Sequence, residues 1–224
     1  MTAFVLVHSP VTGPSTWRWV AADLVAHGHR VFVPEVSAIS SWPEFADAVA
    51  AQARQLSDAV LVGHSGAGPL LPQIAARIDA GPLIFVDADI PPETGRASLM
   101  PAEILAELRT KAVDGLLPPW SQWFGPAAMA ELVPDAERRA AMAAELPRLP
   151  LAYLETTVPV PAGWTAAGGG YVLLSAEAYG AQAATAVARG WPVVRLPGGH
   201  LDVATRPEPI AAAIVEIAAR LARH

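Results

Sequence analysis

The sequence predicts an α/β fold: a mostly parallel sheet with helices on both faces and a small helical cap. Three observations predict it. Short, unbroken apolar runs recur along the chain, stretches with helical spacing lie between them, and one proline-rich segment interrupts the alternation. Apolar runs without polar alternation mark strands buried on both faces. Strands alternating with helices imply right-handed βαβ crossovers and a sheet covered on both sides.

In chain order, "AFVLVH" (3–8) reads as the first strand. It is strand-sized and lacks the positive flank and long apolar region of a secretion signal. "RVFVP" (30–34) is the second strand. The helix "SSWPEFADAVAAQARQL" follows, with Ser41 and Glu44 at capping-box spacing and Pro43 confined to the first turn. "AVLVG" (59–63) is the third strand, "GAGPLLPQIAARI" a helix, and "PLIFVDA" (82–88) the fourth strand. Residues 91–165 break the rhythm, with prolines at 91, 92, 101, 118, 119, 126 and 134 and the aromatics Trp120, Trp123 and Phe124. Helical pieces such as "PAEILAELRTKAV" and "DAERRAAMAAEL" occur there without a convincing strand. This segment reads as a cap inserted into a core formed by residues 1–90 and 166–224. The run "AAGGG" (166–170) returns the chain to the sheet through "YVLLS" (171–175) and "PVVRLP" (192–197), and "PEPIAAAIVEIAARLA" closes it as a helix.

The 224 residues suit one well-cored domain, with or without an insertion. With 53% hydrophobic and 16% charged residues the chain is globular. Its 15 basic and 21 acidic residues leave a net charge of −6, which argues against nucleic acid or an anionic membrane surface as partner. The absence of cysteine excludes a disulfide framework, a thiolate metal site and a cysteine nucleophile. No run approaches the roughly 18 apolar residues of a membrane span. The expectation is a cytoplasmic protein acting on a small molecule without cofactor or metal, with a homodimer left open.

Chemistry concentrates at "LVGHSGAGPL" (61–70). Ser65 follows a strand and precedes a helix among small residues, the context of a nucleophile elbow. The same pattern also fits an ordinary tight turn. A hydroxyl needs a base to become a nucleophile, and His200, between the last strand and the final helix, is the candidate. His64 adjoins the serine and reads as packing. An acid must orient the imidazole. Glu177, two residues past the strand 171–175, gives the chain order Ser, Glu, His. Asp87 and Asp89, at the end of the preceding strand, compete for the role, whereas Asp202 reads as a turn cap.

These motifs resemble the α/β-hydrolase superfamily, in particular its esterase and hydroxynitrile-lyase branch, which includes plant methylesterases. The resemblance is carried by "FVLVHSPVTGPSTWRWVAADLVAHGHRVFVPEV", "VLVGHSGAG", "FVDADIPPETG" and the segment from "YVLLSAEAYG" to "GGHLDVATRPEPIAAAI". The cap matches weakly. The resemblance implies Ser65 as nucleophile, His200 as base and Glu177 as acid, where the branch more often has aspartate. Cyanohydrin-cleaving members carry lysine directly after the histidine, and Leu201 stands there in this chain. The family's first loop reads His-Gly-X, with the N–H of X and the N–H after the nucleophile forming the oxyanion hole. Here the loop is His8-Ser9-Pro10, and proline has no N–H. Gly66 keeps its donor, and the Val11 N–H or the Thr12 or Ser9 hydroxyl is expected to supply the other. Pro10, Trp120, Trp123 and Phe124 are expected to line a substrate pocket. The expected activity is hydrolysis of a small, mostly apolar ester or thioester. A lyase, cyclase or isomerase using His200 as acid–base, suggested by Pro10, is the alternative, and a non-catalytic ligand-binding protein is a further one.

Overall fold

Alternation of apolar side chains along each strand divides the core into two layers. In the computed structural model, which describes residues 1–37, 39–56, 58–125 and 127–223, Phe4 and Leu6 face one layer while Val5 and Val7 face the other. Pro126 and His224 lie outside the described residues. The strands are β1 (Ala3–Val7), β2 (Arg30–Phe32), β3 (Val60–His64), β4 (Leu83–Val86), β7 (Gly169–Leu173) and β8 (Val193–Arg195). They form one sheet in the order β2-β1-β3-β4-β7-β8, and every pairing is parallel.

Helices cover both faces, as buried parallel strands require. Trp17, α1 (Arg18–Ala26) and α10 (Pro207–Leu221) contribute to the layer that holds Phe4, Leu6, Val62 and Val86. On the other face α2 (Trp42–Ala53), α3 (Leu71–Ile78) and α8 (Ala176–Ala188) cover Val5, Leu61, Phe85 and Tyr171. The α2 start differs from its expected cap: the Ser40 hydroxyl donates to Glu44 at 2.9 Å, and the Ser41 side chain makes no capping bond.

Between β4 and β7 the chain forms α4 (Ala102–Lys111), α5 (Ala128–Leu132), α6 (Ala136–Ala144) and α7 (Leu151–Glu155). It also forms two strands absent from the sequence reading, β5 (Arg96–Ser98) and β6 (Thr157–Pro159), paired antiparallel. Met129, Val133 and Met142 from α5, its flank and α6 pack on Leu201, so these helices bear directly on the loop that carries His200. Among the described residues no helix is long and apolar enough to cross a membrane.

Candidate active site

The carboxyl ends of the parallel strands gather the polar residues, as expected for an open α/β sheet. At the end of β3 the chain turns sharply into a short 3₁₀ helix, Ser65–Leu70, that continues as α3. Ser65 has φ +56°, a left-handed conformation that a non-glycine residue adopts only when its surroundings impose it. The turn is tight because the helix approaches the strand end closely. A Cβ on Gly68 would stand 2.3 Å from the Asp89 carbonyl oxygen.

His200 lies between β8 and the short helix α9 (Asp202–Thr205). Its Nε2 is 3.0 Å from Ser65 Oγ and its Nδ1 is 3.2 Å from Asp87 Oδ2. Asp87 is fully buried, directly beyond β4, and has φ +42°. Its Oδ1 accepts the Leu174 N–H at 2.7 Å and the Ser175 N–H at 3.1 Å, and its Oδ2 accepts the Ser175 hydroxyl. Burial works to raise the Asp87 pKa. The hydrogen bonds from His200, Ser175 and Leu174 outweigh it and hold the carboxyl below its ordinary range. Asp87 is therefore an anion locked in place against His200.

Two neighbours fix the imidazole. His64 Nε2 bonds to the His200 carbonyl oxygen at 2.9 Å. Burial, with the nearby His200 charge, pushes the His64 pKa down to about 3, so His64 stays neutral. The Tyr179 ring stacks on His200, with centroids 5.1 Å apart and planes 8° from parallel. Burial pushes the Tyr179 hydroxyl up to about 12, with the nearby Asp89 charge adding to it.

A serine, a histidine and a carboxylate thus stand in register above a parallel sheet. The sequence profile of the alpha/beta hydrolase family matches residues 4–213. The chain belongs to the alpha/beta hydrolase family. It is 30% identical over 131 residues to a carbendazim hydrolyzing esterase of Nocardioides sp. (strain SG-4G), a match that covers 51% of this chain and 54% of that esterase. The chain thus spans about half the length of the curated relative it matches. An extracellular alpha/beta-hydrolase from a Paenibacillus species has a similar structure, with a TM-score of 0.77 at 19% identity over 97% of this chain and 99% of that one. A pyrethroid hydrolase from Sphingobium faniae JZ-2 gives 0.70 at 17% identity over 100% and 99%. At these identities the two structures attest the fold alone.

Within this hydrolase fold, the carboxylate that meets His200 is not the one the sequence favoured. Glu177 sits in the first turn of α8, exposed, and the carboxylate on His200 Nδ1 is that of Asp87. Helix α8 begins at Ala176, so Glu177 leaves the sheet edge on the outer side of the helix, where its charge complements the helix N-terminus. The loop after β7 instead supplies the Ser175 hydroxyl, which holds the acid arriving from β4. Asp89 is half-buried nearby. Gln182 donates to its Oδ1 at 2.8 Å, and burial raises its pKa. Asp202 accepts the Gly199 N–H at 3.0 Å and the Thr205 hydroxyl at 2.7 Å, a turn cap as expected.

A cavity of about 460 Å³ opens over Ser65. Pro10, Trp120, Trp123 and Phe124 all line it, together with Leu99 and Ile104. Trp123 is buried with its Nε1–H donating to the Pro118 carbonyl at 2.9 Å, whereas Phe124 is 53% exposed at the rim. Tyr179 and Ser9 also line the cavity. The sequence reading missed Tyr179; the available signal was an aromatic residue in the first turn of the helix that follows β7. In the first loop, the Val11 N–H points at Ser9 Oγ (3.4 Å) and the Thr12 hydroxyl donates to the Ser9 carbonyl (3.2 Å). Leu201, in the position where lyases of the branch carry lysine, is buried among apolar side chains. Among the described residues no group of three or more His, Asp or Glu is placed to hold a metal ion.

Proposed function

We propose that the chain is a carboxylic ester hydrolase that works through an acyl-enzyme on Ser65. The observation that carries this reading is the single imidazole of His200, aligned with Ser65 Oγ on one nitrogen and Asp87 on the other. Ser65 Oγ attacks the ester carbonyl carbon as its proton passes to His200 Nε2, and the carbonyl electron pair moves onto oxygen. That oxyanion collapses, the C–O bond to the alcohol breaks, and the imidazolium protonates the departing alkoxide. Water then repeats the sequence on the acyl-enzyme, with His200 again taking and returning a proton. Asp87 keeps the proton on Nδ1 and stabilises the imidazolium.

The apolar walls around Leu99, Ile104, Trp120 and Trp123 favour a small, mostly apolar acyl or alcohol group in an ester or thioester. The partial likeness to the Nocardioides esterase points to the same class of reaction. A buried Leu201 offers no cation for a leaving cyanide and counts against cyanohydrin cleavage. A panel of p-nitrophenyl esters of increasing chain length, run beside Ser65→Ala, tests the proposal. Turnover with short or medium chains that vanishes in the variant is the expected result. Equal turnover by Ser65→Ala would remove the serine from the mechanism.

A further inference from the structure

Building on the ester-hydrolase reading, we infer that the Ser9 hydroxyl is the second oxyanion donor of this enzyme, in place of the backbone N–H that Pro10 lacks. The first loop had three groups able to take that role, and its hydrogen bonds dispose of two. Ser9 to Thr12 is a β-turn, closed by the Thr12 N–H on the Ser9 carbonyl at 3.0 Å, with Pro10 in the second position, where its fixed φ suits the turn. The same carbonyl accepts the Thr12 hydroxyl at 3.2 Å and bonds His8 Nδ1 at 2.8 Å. The Thr12 proton is therefore spent inside the turn. The Val11 N–H is spent as well, because it is directed at Ser9 Oγ.

That last bond leaves Ser9 as the free donor. A hydroxyl has one proton and two lone pairs. Ser9 Oγ uses one lone pair for the Val11 N–H, and its proton has no partner within the loop. The hydroxyl also stands in the right place. A Cβ built on Gly66 would lie 2.8 Å from Ser9 Oγ, so this oxygen rests against the residue whose N–H is the first donor. Ser9, Ser65 and Gly66 line the same cavity, and Ser9 is only 1% exposed, so bulk water competes little for the proton. A preorganised, desolvated donor of this kind is worth most where negative charge develops. The Val11 N–H adds to it by polarising the hydroxyl along a short chain of hydrogen bonds.

The test compares Ser9→Ala and Ser9→Gly with the wild type. It reads kcat and KM on a p-nitrophenyl ester, and the calorimetric affinity of an alkyl boronic acid whose tetrahedral adduct on Ser65 places an oxygen in the hole. Both variants are expected to lose about 10²–10³ in kcat, with KM unchanged and boronate affinity lowered in parallel. Glycine is the residue of the family pattern at this position, so Ser9→Gly reads the role even if the alanine variant misfolds. Wild-type kcat and boronate affinity in either folded variant would overturn the inference, and so would a rise in KM alone. If the wild type turns over no ester, the hydrolase reading fails, and the boronate affinities still decide whether Ser9 is a donor to a tetrahedral oxygen.

Discussion

Replacing Asp87 with asparagine removes one charge and almost no volume, and the structure says what should follow. Donors meet both carboxylate oxygens: the Leu174 N–H on Oδ1, the Ser175 N–H shared between Oδ1 and Oδ2, and the Ser175 hydroxyl and His200 Nδ1 on Oδ2. An amide has to turn its NH₂ toward one of these sets. The backbone N–H groups cannot rotate away, so the amide oxygen stays with them and the NH₂ faces His200. Nδ1 must then accept, its proton moves to Nε2, and Nε2 can no longer take the proton of Ser65. The comparable substitution in a serine-protease triad costs about 10⁴ in kcat, which corresponds to about 5.5 kcal/mol of activation free energy. The assay is steady-state hydrolysis of a p-nitrophenyl ester, with a thermal melt to show that Asp87→Asn is folded. Glu177→Gln is the paired control, and its exposed side chain predicts wild-type kinetics. A severe loss in Glu177→Gln, or near wild-type turnover in folded Asp87→Asn, would refute the assignment of the acid.

Stability should fall on acidification before the carboxylates titrate. His8 and His64 are buried and both have pKa values lowered from 6.5, so below pH 6.5 the unfolded chain binds protons that the folded chain refuses. Each adds up to about 1.4 kcal/mol of lost stability per pH unit. Thermal melts from pH 7.5 to 4.5 check this, and a flat Tm across that range contradicts it. Pro10→Gly should leave ester turnover level or lower it through lost turn order; a large gain would show that the hole lacked a donor and that Ser9 does not fill it. Asp89→Asn should change KM more than kcat, because Asp89 lines the cavity without touching His200 through any hydrogen bond. A kcat loss as deep as that of Asp87→Asn would place both carboxylates in the proton path. Gly68→Ala should destabilise the fold, since its Cβ would meet backbone at 2.3 Å; an unchanged Tm would show that the elbow can relax.

The sheet was readable because each of its six strands is built round a short apolar run, interrupted only by Arg30 and Arg195 in the edge strands β2 and β8 and by His64 at the end of β3, a signal that local sequence carries by itself. Ser65 and His200 were readable for a related reason: each sits directly beyond such a run, or between one and a helix. The acid was not. Asp87 and Glu177 both follow apolar strands, and chain order favoured the later one. What decides between them is register: Val86 pairs with Val172, which sets Asp87 beside the Leu174 and Ser175 amides and under His200. No local pattern contains that pairing. Strands β5 and β6 escaped notice because three residues, one of them Pro159, are too few to show a period. The donor in the first loop was left among three groups, because only the hydrogen bonds within the turn show which protons are already used.

The measurement that bears most directly on the central claim is a pre-steady-state burst with an activated ester, followed by peptide mass mapping of the quenched enzyme. An acyl-enzyme mechanism predicts a burst of p-nitrophenol approaching one per active site whenever deacylation is the slower step. The acyl mass should then be found on the peptide containing Ser65, and both should be absent in Ser65→Ala. Multiple turnovers with no acyl group on that peptide, under conditions that trap one on a known serine esterase, would contradict the account.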